Sequence, residues 1–76
     1  MSDNQHMRPA ELLRRLRRLA TKRGWELAER EAQGSHLMLW LNGRSTVIAR
    51  HSGDMPPGTF RKVMRDLDLT DRDLEV

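Results

Sequence analysis

The run His36-Leu37-Met38-Leu39-Trp40-Leu41 constrains this chain more than any other stretch, because it alternates without a break between two chain-reversal signals. Successive side chains of a strand point to opposite faces, so Leu37, Leu39 and Leu41 share one side while His36, Met38 and Trp40 share the other. The leucine side demands a core. Elements elsewhere in the chain must therefore cover it, and His36 is left on the more open surface. The run follows Gly34-Ser35 and ends at Asn42-Gly43. Asn-Gly suits a type I′ turn, which needs positive φ at both central residues, so a hairpin partner is expected over residues 45–50. Counting back across that turn sets His36 opposite Ala49 to Arg50.

The rest of the chain supplies the cover. Pro9 fits the first turn of a helix. Leu12, Leu13, Leu16, Leu19 and Ala20 then recur at helical spacing, and Gly24 is a natural stop because glycine accepts the left-handed conformation. The first helix is thus expected over residues 9–23. Residues 25–31 carry a short period-2 pattern with Trp25 and Leu27 on one side, broken by Glu29. They read as a first strand, with Trp25 anchoring the core where helix meets strand. Gly53, Pro56 and Pro57 punctuate a loop over 51–58. Thr59, or Gly58 before it, is expected to cap a second helix whose stripe is Phe60, Val63, Met64 and Leu67. Thr70 and Asp73 resemble a capping box for a last helical turn around 71–74. Residues 1–7 are polar and aperiodic and read as a mobile tail ahead of one domain over 8–76. The order is helix, three strands, helix. This is an α+β class, for which the simplest packing sets two helices on one face of a three-stranded antiparallel sheet.

Length and composition narrow the classes. Seventy-six residues make one small domain with a modest core. There is no cysteine, hence no disulfide framework and no cysteine-based metal site, which suits a reducing cytoplasm. No apolar run approaches the ~20 residues of a membrane span, and no signal-peptide pattern opens the chain. The net charge of +3 favours a polyanionic partner. Its distribution is uneven. Residues 8–23 hold seven basic side chains against Glu11 alone, whereas residues 66–76 hold five acidic ones against Arg72. Each run, taken alone, also fits a solvated helix face.

Motifs for phosphate-binding glycine loops and paired His-Glu metal sites are missing, and three histidines without cysteine make a poor zinc set. His6 falls in the tail. The chemistry left is His36 beside basic residues, since histidine exchanges a proton near neutral pH. RNA cleavage needs such transfers: the 2′-OH loses a proton as it attacks phosphorus, and the 5′-oxygen gains one as it leaves. One placed histidine can serve without metal. Arg44, Arg50, Arg61 or Lys62 can offset charge on the phosphorane. Thr59, Arg61 and Lys62 fall in the first turn of the second helix, where backbone N–H groups and the helix dipole favour phosphate. His51 closes the third strand and is a second candidate for proton transfer or phosphate contact. Composition leaves His36 open to a purely structural role. It also leaves the chain open to two other roles: an RNA-binding module that does not cut, or an interaction domain for another protein.

Several stretches, taken in order, resemble the HicA family of toxins. They are Lys22-Arg23-Gly24-Trp25, Gly34-Ser35-His36 with Leu37-Met38-Leu39-Trp40-Leu41, Gly43-Arg44, Val47-Ile48-Ala49-Arg50-His51, and Gly58-Thr59-Phe60-Arg61-Lys62-Val63-Met64 with Leu67 and Leu69. The resemblance spans residues 12–74. It implies the α-β-β-β-α layout of the double-stranded-RNA-binding domain and a metal-independent ribonuclease of the bacterial cytoplasm that cuts mRNA. It also implies a HicB antitoxin that covers the active site, and no cofactor. The family's catalytic histidine falls on His36, by its place after Gly34-Ser35. Leu37 stands where many members carry a second histidine.

Overall fold

Helix α1 spans Pro9–Arg23 in the computed structural model, which describes residues 7–50 and 53–75. Proline at its first turn has no N–H to leave unpaired. Its stripe of Leu12, Leu13, Leu16, Leu19 and Ala20 is buried. Gly24 ends it at φ 69°, and the Trp25 N–H donates to the Ala20 carbonyl at 2.9 Å. Trp25 is thus committed to the helix cap, which is why strand β1 spans Leu27–Glu31 and starts two residues later than the alternation suggested. The Trp25 ring lies half-buried against the core, with the Arg23 guanidinium 5.0 Å from its centroid.

Strand β2 spans His36–Leu41 and strand β3 Arg44–Ala49. The order is β1-β2-β3, with β1 and β3 outermost and both pairings antiparallel. Asn42 and Gly43 have φ of 52° and 82°, as a type I′ turn requires. Leu41 pairs with Arg44 and His36 with Ala49, so β3 begins one residue earlier than expected. Arg50 still extends the ladder, its N–H donating to the Ser35 carbonyl at 2.6 Å.

Leu37, Leu39, Leu41, Thr46 and Ile48 are buried on one face of the sheet, and the helices cover that face. Helix α2 spans Pro57–Asp66. It starts at Pro57, with Pro56 at the cap position and no side-chain cap. Thr59 therefore lies inside the helix, because Pro57 is preset for its first position. Phe60, Val63, Met64 and, just beyond the helix, Leu67 fill the core. Thr46 donates to Asp66 at 2.8 Å, and Arg44 pairs with Asp68 at 3.5 Å. These contacts align α2 antiparallel to β3, with its first turn toward the Ala49 end. A 3₁₀ turn over Asp71–Leu74 carries the capping box of Thr70 and Asp73, and buries Leu74.

The core reaches further toward the N-terminus than composition suggested. Met7, assigned to the tail, is 5% exposed, and its carbonyl accepts the Met55 N–H at 3.0 Å. Met7, like Met55, thus packs with the core rather than lying in the tail. The remaining tail, including His6, lies outside the described residues. No helix among the described residues is long and apolar enough to cross a membrane.

Candidate active site

Two turns define the end of the sheet where β2 begins. Gly34 takes φ 72°, a left-handed conformation that costs other residues about 1–2 kcal/mol. A Cβ built there meets the His36 Nδ1 at 3.9 Å, an ordinary contact, so the glycine serves backbone conformation rather than clearance. Ser35 follows, and His36 enters the ladder exposed. Its Nδ1 lies 3.3 Å from the Gln33 carbonyl. A carbonyl only accepts, so this contact calls for Nδ1–H and leaves Nε2 bare in the neutral ring.

Glu31, Gly34, Ser35, His36 and Arg50 line a shallow cavity of about 190 Å³. That is below the ~300 Å³ at which pockets begin to enclose small ligands. The shape suits one group of a polymer lying across the surface. Arg50 bonds the Glu31 carboxylate. It also lines a second recess with Pro9, Ala10 and Leu13 at the start of α1. A cation with an acidic neighbour and an exposed histidine can together exchange a proton and balance negative charge.

The other sequence-derived candidates divide. Arg44 sits at the opposite end of the β2–β3 hairpin, five residues or about 17 Å of strand from His36, and is paired with Asp68. It is not brought to the histidine. Thr59 lies in the first turn of α2, toward the His36 end of the sheet, but Arg61 and Lys62 fall one turn further on than expected, because the helix already starts at Pro57; all three are outside the cavity. Lys62 is paired one helical turn on with Asp66 at 2.9 Å, whereas Arg61 is exposed and forms no ion pair among the described residues. His51 lies outside the described residues.

Glu31 is the cavity residue that sequence reasoning missed. The available signal was the β1–β2 register: Glu31 pairs with Leu37, which puts its carboxylate beside the start of β2. No group of three or more His, Asp or Glu among the described residues forms a metal-binding cluster.

Local electrostatics hold the frame of the site. Arg17 of α1 grips Glu29 of β1 with two hydrogen bonds of 2.7 Å, a planar fork-to-fork arrangement. It explains the charge that breaks the apolar face of β1, and keeps the Glu29 carboxyl below its usual pKa. On α2, Lys62 and then Thr46 lower the Asp66 pKa.

The family model described as HicA toxin of bacterial toxin-antitoxin matches residues 13–69, three quarters of the chain. No curated protein matches the chain.

Proposed function

The chain belongs to the HicA toxin family of bacterial toxin–antitoxin systems, and from that premise we propose that it is a metal-independent endoribonuclease cutting mRNA with His36 as general acid and base. The observation that carries this reading is the orientation of the His36 ring, with Nδ1 against the Gln33 carbonyl. In the proposed reaction the bare Nε2 takes the proton of a ribose 2′-OH as that oxygen attacks the adjacent phosphorus. The imidazolium then gives the proton to the departing 5′-oxygen. Arg50, which shares the cavity, offsets the charge that builds on phosphorus. Its pairing with Glu31 loosens as the phosphate takes the place of the carboxylate. Arg61, with the N–H groups of Gly58 and Thr59 that no side chain caps, holds a flanking phosphate, and Lys62 joins it by leaving Asp66. Arg44 acts on RNA beyond the site, and His51 remains a candidate second proton donor.

The family places the chain in a toxin–antitoxin system, so an antitoxin partner goes with it. In this proposal the partner is a HicB-like protein that covers the His36 cavity in the bacterial cytoplasm. The test is purified protein incubated with RNA in EDTA, wild type against His36→Ala. Cleavage by the wild type and none by the variant supports the proposal. Equal cleavage by both removes His36 from it. Binding without cleavage by the wild type leaves the rival reading, an RNA-binding module of the same fold.

A further inference from the structure

The sheet face turned away from the helices is made of Ala28, Arg30, His36, Met38, Trp40, Ser45, Val47 and Ala49, by the alternation and register of the three strands. It contains no carboxylate. Both sheet-borne acids of β1 that flank the core, Glu29 and Glu31, point to the helix side, where Arg17 and Arg50 bind them. Arg30 is exposed and forms no ion pair among the described residues. It stands opposite Met38, one residue pair from Trp40 and from His36. Trp40 is half-buried, and its neighbours across the sheet are Ala28 and Ser45. Both are too small to cover an indole ring. Val47 is 42% exposed, the one large hydrophobic so open among the described residues.

We infer that this open face is a stacking track for single-stranded RNA, with a nucleobase on Trp40 and a phosphate on Arg30, leading to His36. The inference deepens the ribonuclease proposal and rests on it. Side chains on one face of a strand repeat every two residues, about 6.8 Å. That is close to the step between successive phosphates of an extended single strand, so His36, Met38 and Trp40 are spaced as neighbouring nucleotides. A base stacks on an exposed aromatic ring because both have accessible π faces. In a duplex those faces are already stacked on each other. The track therefore selects unpaired RNA. It binds with little regard to base identity, with purines ahead of pyrimidines because their larger rings stack over more area. Met38 and Val47 provide an apolar floor beside the ring, and a face without carboxylates does not repel the phosphates. A protein partner or a second copy of this chain is the competing occupant of such a face, and the cation on its β1 border, with no acid on the same face, favours the polyanion.

The experiment measures binding in the His36→Ala background, where the strand is not cut, so its result is independent of catalysis. Labelled oligouridylate, oligoadenylate and a short RNA duplex are titrated against that protein and against versions adding Trp40→Ala, Trp40→Phe or Arg30→Ala. Trp40→Ala is expected to weaken both single strands about 5- to 150-fold, with Trp40→Phe retaining most of the affinity and the duplex unaffected by either. Arg30→Ala is expected to reduce the salt slope by about 0.7, one phosphate contact on a single strand. Equal single-strand affinity in Trp40→Ala overturns the track, as does a loss that is equally large for the duplex. Sedimentation showing a dimer that only Trp40→Ala dissolves assigns the face to a second copy. Unchanged RNA binding with weakened antitoxin binding assigns it to that partner. Each of these outcomes leaves the cleavage test of His36 standing on its own.

Discussion

His36 owes its position to the residues on either side of it, and the orientation of its ring to a single contact. Among the described residues the ring's one hydrogen-bond partner is the Gln33 carbonyl, and the ring fills no part of the core. Replacing it by alanine is expected to change stability by no more than about 0.5 kcal/mol, while lowering cleavage about 10²- to 10⁴-fold. Melting curves and cleavage time courses on the same preparations check both halves. Gly34→Ala should behave differently. The Cβ has room, but φ of 72° costs alanine about 1–2 kcal/mol, and a turn that relaxes to avoid that cost carries His36 with it. A lowered melting temperature together with reduced cleavage is expected, and unchanged values of both would show that the turn does not set the histidine. At this scale alternation alone was enough to put His36 on the open side of the sheet, because burial of the three leucines fixes the opposite side; its proposed role came from the family resemblance. The neighbours of His36 were not so accessible. Glu31 and Arg50 meet across three strands, and a shift of one residue in either pairing would separate them.

At the scale of elements, periodicity gave α1 and β2 their bounds, and the Asn42-Gly43 turn gave the hairpin its register. The starts of β1 and α2 were less legible because competing backbone chemistry sets them. Trp25 is taken by the cap of α1, and Pro57 begins α2 before any capping side chain. Because Asp66 holds Lys62 while Arg61 has no such partner, Arg61→Ala alone should account for most of the loss of RNA affinity seen in the Arg61→Ala/Lys62→Ala double variant. Equal contributions from the two residues would show that the Lys62–Asp66 pair opens at no cost when RNA binds. The 3₁₀ turn offers a test by pH. The Thr70 backbone N–H, and after it the Arg23 guanidinium, holds the Asp73 carboxyl below its usual pKa. A depressed folded value means stabilisation that is full above the ordinary carboxylate value near about 4. It is lost as pH falls through the lower folded value. Asp73→Asn is expected to cost about 1 kcal/mol at neutral pH, the usual worth of a cap, and to flatten stability against pH below about 4. Urea titrations at several acidic pH values would reveal it, and parallel curves for the two proteins would rule it out.

For the whole molecule, the sequence suggested a basic beginning and an acidic end, and the fold largely cancels the acids. Glu11 binds Arg14 and Arg15, Glu29 binds Arg17, and Asp73 binds Arg23, while Asp66 and Asp68 bind Lys62 and Arg44. Glu11, with two guanidiniums on it, is held at about 2. Among the described residues Arg18, Lys22, Arg30, Arg61, Arg65 and Arg72 form no ion pair, so they carry the surplus positive charge to solvent. Such pairings depend on contacts between elements and cannot be read from charge runs. The core is the second whole-molecule property. Leu39 is completely buried at the centre of the middle strand. Leu39→Ala should cost about 2–5 kcal/mol, against a total of only about 5–10 kcal/mol for most domains this small. Loss of a cooperative melting transition near physiological temperature is expected, and near wild-type melting would show that the helices collapse onto the cavity.

The two outer strands differ in how they meet a neighbouring molecule. Along β1 the outermost backbone is flanked by Glu29, Arg30 and Glu31, charges that repel another chain seeking to extend the sheet. Along β3 the run Ser45-Thr46-Val47-Ile48-Ala49 is uncharged, and among the described residues no strand pairs with its outer edge. The chain thus has one guarded border and one receptive one. In concentrated protein at high ionic strength, where the remaining surface charge is screened, aggregation should begin by β3 joining β3. Hydrogen exchange of the early aggregates should then show slowed amides in β3 before any appear in β1.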